Sequence, residues 1–442
     1  MKKTTKIIKL LLSAFIFLGL NIFAQEKNEK ELTETDKKAT VADTLNISKE
    51  KSKKDDKYFE AGVRIQARMM AGEKDSKYAD DSNYDSLDFN FRRLRLTGKF
   101  QGASWYGGVL DIKGENLLTK PSFKEHTQTI TSGETVLAKG SKVEGKSAIQ
   151  EANMWIKPGF WNSKIKFGQF KLPFLREQLT SSSRLLLPER SFSAETLQQQ
   201  DIGISIDMHP PSVFGSKTAQ IIDISLAVTN GDGSGHDGVG RKSVEIDSSG
   251  ESKAKLYNWR FQLNPFGGIV KDEKDTGWAD GKEIFNSSAL FSLGVAGVYT
   301  SANEGGEFAK NKKLSGHTVD MTFAVSGVYI NGEYTFFNGA AVPKKYHTYQ
   351  ATLGYNIPVK SFYLMPVLRY SHVQSDIDEN GAVDNNEKLS DIWAGINFFG
   401  DKHDFKLQLF YQIKQDKSGE NNSNLKDNII YLQAQTNFGK KV

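Results

Sequence analysis

From Tyr58 towards the C-terminus, apolar and polar residues alternate with a period of two. In residues 63–69, Val63, Ile65, Ala67 and Met69 are apolar, and Arg64, Gln66 and Arg68 between them are polar. Near the end, Phe405, Leu407, Leu409, Tyr411 and Ile413 alternate with Lys406, Gln408, Phe410, Gln412 and Lys414. Such a pattern sends successive side chains to opposite faces of a β-strand. About sixteen segments of this kind can be counted, an even number, as bacterial single-chain membrane barrels require. They start near Tyr58, Leu87, Ala103, Ser147, Ser163, Asp201, Lys217, Lys255, Ser288, His317, Val328, Tyr346, Ser361, Leu389, His403 and Asp427.

The connections add a second rhythm. Long polar links near Ala71 to Ser86, Asn116 to Lys146, Asn230 to Ala254, Ser301 to Gly316 and Gln374 to Lys388 alternate with tight ones. The tight links fall near Gln101-Gly102, Pro158-Gly159, Ser326-Gly327, Pro358 and Gly400-Asp401. Short periplasmic turns and long extracellular loops produce that alternation in a transmembrane barrel. The pattern therefore predicts an all-β protein, a transmembrane antiparallel β-barrel of about 16 strands over residues 58–442. Its apolar face meets lipid and its polar face lines the lumen.

Three places depart from the rhythm. The link Phe266 to Asn286 falls on a short side but is long, so either the turn is elaborated or a strand pair is hidden there. Asn331-Gly332 is a strong hairpin signal. Yet Val328, Ile330, Tyr334 and Phe336 keep one face apolar straight through it, which puts the turn at Ser326-Gly327. Glu177 to Gln200, after the fifth strand, loses the alternation and gains leucine. An inward-folded constriction loop is expected there, with a surface loop bearing a helical turn as the alternative.

The N-terminus reads as an export signal. Lys2, Lys3, Lys6 and Lys9 precede the apolar run Leu10 to Phe23, too short to span a bilayer, and Ala24 offers a small residue before cleavage. Residues 1–24 are thus a predicted signal peptide. Residues 25–57 carry nine Lys against nine Asp and Glu with few large apolar residues, and read as a disordered periplasmic tail. Losing the four signal-peptide lysines takes the formal net charge from +5 to +1. Bulk attraction to nucleic acid is not expected from so neutral a body. The chain has no cysteine, which excludes a lipoprotein anchor, a disulfide framework and thiolate chemistry.

Two segments resemble the family of phosphate-selective porins O and P. One is Phe89-Asn90-Phe91-Arg92-Arg93-Leu94-Arg95-Leu96. The other begins Phe167-Gly168-Gln169-Phe170-Lys171-Leu172-Pro173-Phe174 and continues through Glu177, Leu179-Thr180-Ser181-Ser182, Pro188-Glu189-Arg190-Ser191 and Asp201-Ile202-Gly203. The resemblance implies a sixteen-stranded channel of the Gram-negative outer membrane. It also implies a homotrimeric assembly, a third loop narrowing the pore, and uptake of anions such as phosphate. The family's basic ladder does not map residue by residue onto this chain. The last strand also departs from the usual aromatic end, because Gly439-Lys440-Lys441-Val442 follows Phe438.

Parity then nominates the pore lining. Of eleven arginines, Arg64, Arg68, Arg93, Arg95, Arg260 and Arg369 fall on the lumen face, although parity slips at Arg92-Arg93 as it would at a bulge. Arg176, Arg184 and Arg190 lie in or beside the constriction insert with Glu189, leaving Arg92 and Arg241 outside the set. A guanidinium is a fixed charge with a planar donor fork, suited to transient anion sites. Acids share the lumen face: Asp111, Glu151, Asp207, Asp223, Asp320 and Glu333. Two readings stay open, an anion-favouring channel and a weakly selective diffusion pore. Trp105, Trp155, Tyr329, Tyr363 and Phe410 also point inward by parity, while Phe59, Tyr106, Tyr257, Trp259 and Phe398 fit the girdles that meet outer-membrane lipid.

Catalysis has little support. The seven histidines show no paired metal spacing, Asp232 and Asp237 lack the order of a calcium loop, and no nucleophile triad can be assigned by spacing. No cofactor is expected. A barrel enzyme with a loop-borne acyl-transfer site and a secreted glycan-binding β-protein are the remaining alternatives.

Overall fold

A computed structural model describes residues 57–72, 88–115, 122–127, 139–144, 149–195, 197, 199–210, 221–230, 255–266, 289–300, 315–338, 346–375, 387–416 and 425–441. The expected signal peptide and nearly all of the expected tail lie outside these residues.

Sixteen antiparallel strands close into one barrel. In chain order they are β1 (Tyr58–Gly72), β2 (Asp88–Ala103), β3 (Tyr106–Lys113), β4 (Ile149–Ile156), β5 (Lys164–Lys171), β6 (Gln200–Met208), β7 (Ile222–Thr229) and β8 (Leu256–Leu263). They continue with β9 (Leu290–Thr300), β10 (Ser315–Val325), β11 (Val328–Asn338), β12 (Tyr346–Tyr355, extended by Ile357–Val359), β13 (Phe362–Ser375), β14 (Glu387–Asp401), β15 (Phe405–Asp416) and β16 (Leu425–Lys441). Each strand pairs with its neighbours in sequence, and β1 pairs with both β2 and β16, so no edge is left open. Each lies close to a segment counted by alternation.

The register explains the two misleading signals. Val325 pairs with Val328, so Ser326 and Gly327 form a two-residue turn, both with positive φ, as a tight hairpin demands. A side chain at Gly327 would run into the carbonyl of Asn356. Asn331 sits mid-strand, its Nδ2 donating to Thr322 Oγ1 at 2.8 Å. β8 pairs directly with β9, so no strand pair enters the wall at the long 266–286 link; the interior of that link lies outside the described residues. Three tight turns fall a few residues later than expected, at Ser104-Trp105, Lys360-Ser361 and Lys402–Asp404.

The two faces separate cleanly in strands such as β10. His317, Val319 and Met321 are exposed there, while Thr318, Asp320, Thr322 and Ala324 are buried. Around the barrel the exposed face is a belt of apolar side chains, among them Phe91, Met154, Ile204, Leu226, Leu353 and Leu368. A polypeptide exposing so much apolar surface is stable against lipid, not water. Phe438 belongs to that belt, opposite Val63, and β16 simply runs past it. Among the described residues no helix is long and apolar enough to cross a membrane.

Two elements lie outside the wall. Within the long 116–146 link, Ser122–Thr127 and Lys139–Glu144 pair as a separate two-stranded ribbon. The insert between β5 and β6 starts and ends at a neck where the Leu172 N–H donates to the Gln199 carbonyl at 3.0 Å. It contains one short helix, α1 (Arg176–Leu179), and a 3-10 turn, Phe192–Glu195.

Candidate functional site

The insert folds against the inner face of the barrel, as its leucines require. Leu186 and Leu187 pack with Met365, Trp393, Phe399 and Phe410. Leu172, Phe174, Leu175 and Leu197 pack with Leu256, Ala296, Val298 and Phe337. The inner face of β8 to β16 is therefore partly apolar, and the insert covers it. Burying such side chains provides about 1.5–3 kcal/mol each, and this non-directional term holds the loop to that wall.

Directional bonds fix its position. Three arginines converge on the Glu189 carboxylate: Arg68 and Arg92 pair with it, Arg92 Nη2 donating at 2.7 Å, and Arg93 Nη2 stands 3.7 Å away. The β1–β2 register skips from Gln66–Arg93 to Ala67–Phe91, so Arg92 is the extra residue of a bulge. The bulge lets both Arg92 and Arg93 reach the insert, and it brings in Arg92, which parity had set aside. Burial pushes the Glu189 carboxyl up, but the charges of Arg92, Arg93 and Arg68 outweigh it and hold the group well below the usual carboxylate range.

Further round the wall, on β13, Arg369 is 1% exposed and its guanidinium lies 5.2 Å from the Trp393 ring centroid. It donates to the Glu189 carbonyl at 2.9 Å, the Arg190 carbonyl at 3.3 Å and Glu177 Oε1 at 3.3 Å. Arg260 donates to the Phe174 carbonyl at 3.0 Å and pairs with Asp320 at 2.7 Å. Arg176 reaches the same Asp320 at 3.2 Å and Ser292 Oγ at 3.0 Å. Gly294 makes this pairing possible, since a Cβ there would land on the Arg260 guanidinium. Glu333 accepts the Arg176 N–H at 2.7 Å, at the positive end of α1.

The remaining residues follow the same logic. Arg64 donates to Ser182 Oγ at 2.7 Å and to Asn437 Oδ1 at 3.2 Å. Arg190 donates within the insert, to the Glu177 and Thr180 carbonyls at 3.1 and 3.0 Å. The Arg184 backbone closes a turn onto the Ser181 carbonyl at 2.9 Å. Arg95 pairs with Glu115 at the far end of β3 and takes no insert bond among those described. Sequence reasoning missed a row of buried amides and one ammonium on β14 to β16. Lys406, Asn397 and Gln408 donate to the Leu185 and Leu186 carbonyls at 2.6–3.1 Å, and Gln435 donates to the Ser183 carbonyl at 2.9 Å. Trp105 is corrected too: it lies in the β2–β3 turn and is 57% exposed, so strand parity does not apply to it.

The arginines nominated as pore lining are thus mostly engaged with the insert or with acids. Arg260 and Arg369 are corrected as lining of an open channel, because each is fully buried. With the insert held to β1, β2 and β8–β16, the space left over lies along β3 to β6. A small recess, open to solvent, lies there between that wall and the insert's Pro173 and Leu179. Lys166 stands in register between Trp155 on β4 and Ser205 on β6, and Lys164 stands opposite Asp207. Lys166 Nζ lies 2.5 Å from Asp207, which also accepts from Ser225 Oγ at 2.7 Å. Lys164 Nζ is 4.8 Å from the Trp155 ring centroid. Lys171 donates to the Leu179 carbonyl at 3.1 Å, and Glu151 shares the recess. The signal for these lysines was present in Lys164-Ile165-Lys166, whose alternation puts both cations on one face. Among the described residues no group of side chains is placed to hold a metal ion.

Comparison with known proteins agrees with this geometry. Residues 63–265 match the family model for phosphate-selective porin O and P, which bears out the resemblance over that span. An uncharacterized protein of Aquifex aeolicus (strain VF5) is 23% identical over 358 residues, covering 79% of this chain and 80% of that protein. A solved structure of Salmonella typhi OmpF in complex with daunomycin superposes with a TM-score of 0.50 at 9% identity, covering 86% of this chain and 97% of that one. The outer membrane channel DcaP of Acinetobacter baumannii gives 0.47 at 13% identity, covering 86% and 96%. OmpF shares the fold. With the family match, the closed barrel and its apolar outer belt, the chain is a porin of the Gram-negative outer membrane.

Proposed function

We propose that this porin passes small hydrophilic solutes by diffusion and favours anions, along the path between the insert and the β3–β6 wall. One observation carries the reading: Lys164, Lys166 and Lys171 all face the recess that the docked insert leaves. A cationic lining raises the local anion concentration and repels cations, and side chains that briefly replace hydration water are a physical route to selectivity. Arg64, Arg68, Arg93, Arg260 and Arg369 serve this path indirectly in the proposal, with Arg176 and Arg190 on the insert side. They clamp the loop and so set the bore.

The competing reading, weakly selective diffusion, is favoured by Glu151 and Asp207, which face the same recess and offset part of its charge. Reconstituted channels in a potassium chloride gradient separate the two. A reversal potential displaced towards the chloride equilibrium value supports the proposal, and one at zero overturns it. The homotrimer implied by the family resemblance belongs to the same proposal, and the mass of the detergent-solubilised particle tests it.

A further inference from the structure

Building on the reading of this barrel as an anion-favouring channel, we infer that the recess on β3 to β6 is a binding station for small monovalent organic carboxylates. Charge sets the valence. Lys164, Lys166 and Lys171 supply three positive charges, Glu151 and Asp207 supply two negative ones, and the sum is a single positive charge. A doubly charged oxyanion would leave one charge uncompensated and would face both acids at close range. A monocarboxylate matches the sum.

The lining sets the rest of the ligand. An inorganic oxyanion is polar on every side and requires donors all round. This recess instead has an apolar side built by Val109, Phe170, Pro173 and Leu179, beside the buried indole of Trp155. A molecule with a carboxylate at one end and a flat apolar body at the other satisfies both sides. One polar atom adds a specific position. Ser205 is 2% exposed, lines the recess, and its Oγ has no hydrogen-bond partner. A buried hydroxyl without a partner is destabilising, so a ligand oxygen accepting from it gains what the protein alone leaves unmet. Register puts Ser205 beside Lys166 and Trp155, so hydroxyl, ammonium and ring present themselves on adjacent strands. The station must still release its solute, and the Lys166–Asp207 pair, already formed, keeps the attraction moderate.

The test uses the full barrel in planar bilayers at neutral pH, carrying chloride current, with benzoate, acetate or inorganic phosphate added. Benzoate is expected to halve the current at a concentration about tenfold below that needed for phosphate, with acetate between the two because it matches the charge but lacks the ring. This comparison needs no variant. Trp155→Leu, with folding checked by its heat-dependent gel shift, is expected to cut benzoate's advantage to less than about threefold. Phosphate blocking at or below the benzoate concentration overturns the inference, and so does an undiminished advantage in the variant. Either result, with anion preference in potassium chloride retained, leaves the channel reading standing. A zero reversal potential overturns both.

Discussion

Replacing Glu189 by Gln removes one negative charge and leaves its shape. In the native protein that charge faces Arg68, Arg92 and Arg93, and its side chain is 23% exposed. Breaking a buried ion pair costs about 3–5 kcal/mol, because the surviving charges stay buried without compensation. Partial exposure places this carboxylate at the low end, about 3 kcal/mol. At about 1.4 kcal/mol per factor of ten, the ratio of docked to undocked insert falls by more than about a hundredfold. Hydrogen exchange on the folded protein reads that ratio directly, since amides protected by docking exchange through the undocked state. Exchange of the residue 172–195 amides should accelerate by about a hundredfold while strand amides stay unchanged, and open-channel current noise should grow. The pH dependence carries the same sign. A carboxyl depressed in the folded state contributes stability that is present above its ordinary range and lost as pH falls through its folded value. Because the Arg92, Arg93 and Arg68 charges overcome the effect of burial, the wild-type insert should stay docked at pH 4 and loosen only in stronger acid. Unchanged exchange in the variant, within about threefold, would refute the clamp.

Other outcomes follow from the same geometry. Leu186→Ala empties a contact with the β13–β15 wall and should weaken insert docking by about 2–5 kcal/mol, measured by the same exchange experiment; unaltered protection would contradict the apolar dock. Gly327→Val forces a branched side chain into positive φ against the Asn356 carbonyl. It should lower barrel stability by at least about 1–2 kcal/mol, seen as a lower temperature for the heat-dependent gel shift. Gly294→Leu should displace Arg260 from Asp320 and raise single-channel conductance by freeing the insert at Phe174, and an unchanged conductance would remove that pair from the account.

The wall was legible in the sequence because lipid outside and a polar or covered interior impose opposite demands on alternate residues. Strand positions, the Ser326-Gly327 turn and the Arg92-Arg93 slip all follow from that single rule. The insert was legible as the place where the rule stops. What parity could not supply was the partner of each inward side chain. Arg260 and Arg369 look the same as pore arginines in a strand pattern, and only the fold brings the Phe174, Glu189 and Arg190 carbonyls to them. A hint existed: β13 to β15 carry apolar residues on both faces, Met365, Trp393, Phe399 and Phe410 among them, which a water-filled lumen would not favour. Leu185-Leu186-Leu187 was the matching half of that signal. Lys164 and Lys166 carry the same kind of signal, since their spacing puts both on one face of β5, but alternation alone does not show that the recess opens in front of them.

The most direct test of the account is the reversal potential of reconstituted channels in a potassium chloride gradient, wild type against a chain with Lys164, Lys166 and Lys171 all changed to Gln. The account predicts a wild-type potential displaced towards the chloride equilibrium value and, because Glu151 and Asp207 remain, a triple variant whose potential falls to zero or crosses to the cation side. A wild-type potential at zero, or one that the three substitutions leave in place, would contradict it.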